Sequence, residues 1–136
     1  MTRLSEPAPP RSGIRWWRAL AGGLLIELVL IAVAVPLFAV GQPETVSIVI
    51  VPATLVAAAL CGGWAARGTG KPVLNGTLAG VAALTLYAIV AVVGLLAAPG
   101  QADLGAALSP AYLASHVFKV LGGALGGWLM ARRASR

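Results

Sequence analysis

Four long apolar stretches, divided by short breaks rich in glycine, proline or charge, account for most of this chain of 136 residues. The first runs from about residue 19 to 40 and is interrupted only by Glu27. The second, 46–66, and the third, 73–98, contain no charge at all. The fourth, 110–131, carries His116 and Lys119. Each is close to or above the ~20 apolar residues that cross a hydrocarbon core as a helix. None shows the alternation of a strand. In lipid every backbone group needs an internal partner, so helices are the form these runs can take. The breaks agree. Gly41-Gln42-Pro43-Glu44 stops the first run, and Arg67-Gly68-Thr69-Gly70-Lys71-Pro72 makes a short turn. Pro99-Gly100-Gln101-Ala102-Asp103 opens the last loop, in which a short interfacial turn is expected over Leu104 to Leu108, and Ser109-Pro110 reads as an N-cap with proline at the first helical position.

The expected fold is therefore all-α: a polytopic membrane protein of four transmembrane helices. The expected division is a disordered cytoplasmic segment (1–13), a transmembrane domain (14–133) and a short cytoplasmic tail (134–136). Composition supports this class. Residues of the AVILMFWYC set reach 59 % without counting 17 glycines, and charged residues are 10 %. Soluble domains reach only ~45–50 % apolar with glycine included. Arg outnumbers Lys eight to two, and with abundant Ala and Gly this suggests a GC-rich bacterial genome; the expected location is a bacterial inner membrane.

Charge sets the orientation. Nine of the ten Lys and Arg lie in three segments: Arg3, Arg11, Arg15 and Arg18; Arg67 and Lys71; Arg132, Arg133 and Arg136. The other two loops carry only Glu44 and Asp103. Positive residues stay on the cytoplasmic side, so both termini are expected inside. Trp16 and Trp17 beside Arg15 and Arg18, with Trp64 and Trp128 at the ends of spans two and four, are interfacial anchors. The competing reading, a cleavable signal peptide ending at Ala32-Val33-Ala34, needs a run of ~7–15 apolar residues, shorter than the one present. A net charge of +6 spread over span ends suits anionic headgroups rather than nucleic acid.

The two halves resemble each other. Each reads span, Gly-Gln-x-acid, span, Gly-Gly-Trp, Arg: Gly41 to Glu44 and Gly62 to Arg67 in one, Gly100 to Asp103 and Gly126 to Arg132 in the other. Both begin and end on one side, so the expected arrangement is two parallel-repeat hairpins. Glycines four apart open a groove in which another helix packs closely. Gly122 with Gly126, Gly123 with Gly127, and Gly76 with Gly80 are such pairs; Gly62 and Gly63 form a shorter version.

The intramembrane polar residues share these faces. Tyr112, His116, Lys119, Gly123, Gly126 and Met130 lie within about 40° of one helical meridian. Gly23, Glu27 and Ala34 share a face of span one. Thr54, Ala58, Cys61 and Ala65 do so on span two, and Gly76, Gly80, Ala83, Tyr87 and Gly94 on span three. An isolated charge at the bilayer centre costs at least ~2.5–3.5 kcal/mol. Glu27 is nine residues, roughly 14 Å, beyond Arg18, and Lys119 is thirteen, roughly 20 Å, before Arg132. A Glu27–Lys119 pair is expected, with His116 one turn away as a further partner or as a hydrogen-bonded core residue. Pro36 and Pro52 each remove one helical hydrogen bond in the outer halves of their spans, which can kink them.

No complete catalytic, metal or cofactor motif is present, and one cysteine and one histidine exclude a disulfide relay and bis-histidine haem within the chain. The chain is similar to small uncharacterised four-helix bacterial membrane proteins, which carry a Gly-Gly-x-x-Gly-Gly last helix; the matching stretch is Lys119 to Gly127. That resemblance implies no known activity. Small multidrug transporters also have four helices and a glutamate mid-way through the first, here Glu27, but this chain departs from them in Lys119 and in its single orientation. The function expected is non-enzymatic: a protein acting through helix packing, as a homo-oligomer or as a small subunit of a larger membrane assembly. The alternative is a small transporter or ion pathway using Glu27, Lys119 and His116.

Overall fold

The structure is a computed structural model that describes residues 13–40, 43–98 and 110–135. The expected disordered segment before Gly13, the turn at Gly41-Gln42 and the loop from Pro99 to Ser109 lie outside the described residues. Among the described residues there are four helices: α1 Trp16–Ala39, α2 Pro43–Ala66, α3 Pro72–Ala97 and α4 Pro110–Ala134. Each begins a few residues before the apolar run that predicts it, or at its start. Three of them, Trp16–Ala39, Ile48–Ala66 and Pro72–Ala97, are long and apolar enough to cross a membrane. The fourth is as long, at 25 residues, but Ser115, His116, Lys119 and four glycines dilute its apolar character.

The helices form a ring in the order α1, α2, α4, α3. The central pair, α2 and α3, each packs against all three others, and α1 and α4 face each other across the interior. Small residues dominate the interior. Ala58, Ala65, Ala79, Ala83, Thr54 and Asn75 are fully buried, and among the described residues Ile26 is the one large apolar side chain buried completely. Leucines and valines such as Leu24, Leu28, Val56, Leu60 and Val81 point outward instead. This inversion of a soluble core is what packing in lipid favours, because helices gain most by close backbone approach.

The glycines are where backbones touch. A Cβ added to Gly62 would lie 2.7 Å from the Cα of Gly123, and one on Gly126 would lie 2.6 Å from the Gly63 amide nitrogen and collide with the Ala59 carbonyl. A Cβ on Gly122 would meet the Ala58 side chain at 2.8 Å. Gly76 and Gly80 of α3 meet α4 in the same way, at Gly127 and Val120, and Gly23 of α1 meets α3 at Ala82 and Ala83. Gly94 departs from the expected pattern. It sits on the outer part of α3, where every residue from Ala88 to Ala97 is exposed and nothing lies within 4 Å of an added Cβ.

One end of the bundle gathers the basic residues, and local chemistry ties it together. The α2–α3 turn places Gly68 at φ 71°, the left-handed conformation that ends a helix most cheaply at glycine, and Pro72 starts α3 at a position that needs no N–H. Asn75 Nδ2 donates to the Gly13 and Lys71 carbonyls, each at 2.9 Å, and its Oδ1 accepts from the Arg15 amide at 2.9 Å. Arg15 precedes α1 and no side chain of its own caps that helix. The amide of Asn75 therefore fixes where the chain enters the bundle.

Candidate functional site

The charged chemistry inside the bundle, among the described residues, lies in one layer. Lys119 reaches from α4 to α1, placing Nζ 2.6 Å from Glu27 Oε1. Its side chain is only 3 % exposed and that of Glu27 14 %, so lipid and water are both largely excluded from the contact. The register follows from the glycines. The Lys119 backbone packs against Gly80, and Gly23, one turn before Glu27, packs against Ala82 and Ala83. Both approaches draw the carrier helices close enough for one salt bridge to span the interior. In low dielectric the pairing removes a penalty that neither charge could meet alone.

Next to the pair, away from the basic end, three rings form a closed cluster. Tyr87 and Tyr112 meet at 5.5 Å, Tyr87 and His116 at 4.7 Å, and Tyr112 and His116 at 4.5 Å between centroids. Lys119 Nζ also lies 4.8 Å from the Tyr87 ring centre, so an aromatic face shares the ammonium with Glu27. His116 is not the hydrogen-bonded partner expected from its position. It lies edge-on to Tyr112 and tilted against Tyr87, and its buried Nδ1 finds no hydrogen-bond partner among the described residues. The cause is packing: although His116 shares a helix face with Lys119, its ring turns to the two tyrosines instead of the carboxylate.

The structure thus brings together Glu27, Lys119, Tyr87, Tyr112 and His116. It places the packing glycines Gly62, Gly63, Gly76, Gly80, Gly122, Gly123, Gly126 and Gly127 between that layer and the basic end. The indoles of Trp16, Trp17, Trp64 and Trp128 are all exposed near that end. Trp17 and Trp64 meet edge to face at 6.3 Å, and the Arg132 guanidinium lies 4.0 Å from the Trp128 ring centre.

Two residues have roles beyond those expected from the sequence, Arg18 as more than an interfacial charge and Asn75 altogether. Arg18 donates from Nη2 to the Trp64 carbonyl at 3.0 Å and from Nη1 to the Arg67 carbonyl, capping the C-terminal end of α2 with a cation while lying 5.1 Å from the Trp64 ring. Asn75 is the second. A lone amide near the start of an otherwise apolar run was the available signal, since a buried amide needs partners for donor and acceptor alike. No group of three or more histidine, cysteine, aspartate or glutamate side chains able to hold a metal occurs among the described residues. Comparisons with protein-family models, curated proteins and solved structures give no match.

Proposed function

We propose that this chain is a non-enzymatic integral membrane protein that acts through helix packing, as a homo-oligomer or a small subunit of a larger assembly. In this reading all four helices span a bacterial inner membrane. The end bearing Arg18, Arg67, Lys71, Arg132 and Arg133 faces the cytoplasm, as the inward bias of positive charge requires. The observation that carries the reading is the direct Glu27–Lys119 contact inside a glycine-lined interior. The two charges satisfy each other and set the register of α1 against α4, which is the best-attested use of a buried pair. The unpartnered outer part of α3, exposed all round from Ala88 to Ala97, supplies a surface for another subunit.

The contacts of α2 with α4 also support descent from a duplicated hairpin. Gly62 packs on Gly123 while Gly126 packs on Ala59, and a shift of 64 positions (62 to 126, 59 to 123) exchanges these two contacts. The same shift maps Ala58 onto Gly122, which touch each other. A local two-fold axis between α2 and α4 accounts for all three, and it does not extend to the whole hairpins, because α2 packs closely on α3 while α1 and α4 lie apart across the interior.

Native mass spectrometry of protein extracted from its own membranes in mild detergent tests the assembly. The expected result is a complex of two or more copies, or of this chain with a second polypeptide; a bare monomer under conditions that keep the helices folded overturns it. A second reading, an ion or proton pathway through Glu27, Lys119 and His116, is favoured by one observation. The unpartnered Nδ1 belongs to a side chain that also lines a shallow apolar recess between α3 and α4, with Leu84 and Val120.

A further inference from the structure

At the basic end, α2 and α4 enclose an open groove of about 690 Å³. Its floor is Gly63 and Gly126, where the helices touch through their backbones and no side chain fills the space. Leu60, Leu129 and Met130 line its walls, and the side chains of Arg67 and Arg133, both exposed, stand at its mouth. The apolar wall continues away from the arginines, because Val56 and Leu125 lie one turn beyond Leu60 and Leu129 and are exposed on the same helix faces.

Among the described side chains neither guanidinium is paired with a carboxylate. Among the described side chains Glu27 is the one carboxylate, and it is held by Lys119 inside the bundle. Arg18 and Arg132, by contrast, are engaged with carbonyls and indole rings. A groove that is cationic at one end, apolar along its length and floored by glycine matches one kind of molecule. We propose that it is a binding site for a single anionic phospholipid of the cytoplasmic leaflet. The phosphate lies between Arg67 and Arg133, whose planar forks suit phosphate oxygens, and an acyl chain runs along Leu60 and Leu129 toward Val56 and Leu125. The volume is in the range of sites that bind small molecules and accommodates a headgroup with the start of its chains. A free inorganic anion would leave the apolar wall unused. The site rests on the membrane reading above but not on the assembly, since every lining residue comes from one chain.

The test is native mass spectrometry of the full chain in mild detergent, titrated with phosphatidylglycerol or with phosphatidylcholine of identical acyl chains. The expected result is preferential retention of one phosphatidylglycerol. That preference should fall on the order of tenfold in R67Q/R133Q, while K71Q, which removes a positive charge from the same turn but outside the groove, stays within about twofold. Glycerol phosphate, which lacks the chains, should not displace the lipid. Absence of a preference in the unmodified chain, or an equal loss in K71Q, would show only diffuse surface attraction and overturn the site. Displacement by glycerol phosphate would overturn the lipid as occupant. Both arginine side chains are exposed, so helix content in R67Q/R133Q is expected to match the parent, and circular dichroism of the same samples verifies that.

Discussion

Replacing either member of the buried pair alone, as in E27L or K119M, is expected to destabilise the bundle by about 3–5 kcal/mol, while the double replacement E27L/K119M recovers most or all of that loss. Each single change leaves one charge in an interior that offers nothing else to neutralise it. Lys119 would keep only the face of Tyr87, and Glu27 would lose the cation that meets it. In the double variant two apolar side chains of similar length fill the same space. Buried pairs exchanged for apolar residues are commonly neutral or more stable. Thermal unfolding in detergent followed by helix signal, across the parent, the two single variants and the double, reads this out as a coupling. Additive losses would mean that the two charges act independently and that the contact does not organise the fold.

The second large effect comes from adding a single methyl group. Gly126→Ala places a Cβ against the Ala59 carbonyl and within 3 Å of the Gly63 amide, atoms of backbone that yield only if whole helices move apart. Overpacking of a close-fitted core costs about 1–3 kcal/mol, and here α2 and α4 would separate along their main contact, so the upper end of that range is expected. Gly94→Ala is the counterpart. Open space surrounds that position, and the change should stabilise by about 0.5–1 kcal/mol through helix propensity alone. Two identical substitutions with opposite signs in unfolding temperature would separate glycine as a packing surface from glycine as mere composition. Equal effects at both positions would show that the close approach of α2 and α4 contributes little.

Much of this was legible from the order of residues, for reasons that can be named. A helix in lipid is read from an uninterrupted apolar run, and the runs locate all four helices to within a few residues. The Glu27–Lys119 pair was legible because charges in such runs are few and must find each other, and helical rise gives both a comparable depth. Glycine spacing marked the contact faces of α2, α3 and α4 as far as Gly80, since a groove needs small residues one turn apart. It overreached at Gly94, because spacing says nothing of whether a neighbouring helix extends that far.

What could not be read depended on rotamers and on contacts between distant segments. His116 shares a meridian with Lys119, yet its ring turns to Tyr87 and Tyr112, a choice made by packing rather than by position on the helix. Asn75 joins Gly13 and Arg15 across some sixty positions, and Arg18 reaches the end of α2; both depend on which helices become neighbours. The ring order that puts α1 opposite α4 has no signature in any single run.

The claim that the intramembrane charges are a packing device is tested most directly by proton flux into liposomes under an imposed pH gradient. The purified parent protein and E27L/K119M are compared with protein-free vesicles. Flux from both proteins indistinguishable from empty liposomes is the predicted result. A flux through the parent that disappears in the double variant, with the bundle still folded, would contradict it and make Glu27, Lys119 and His116 a conducting path.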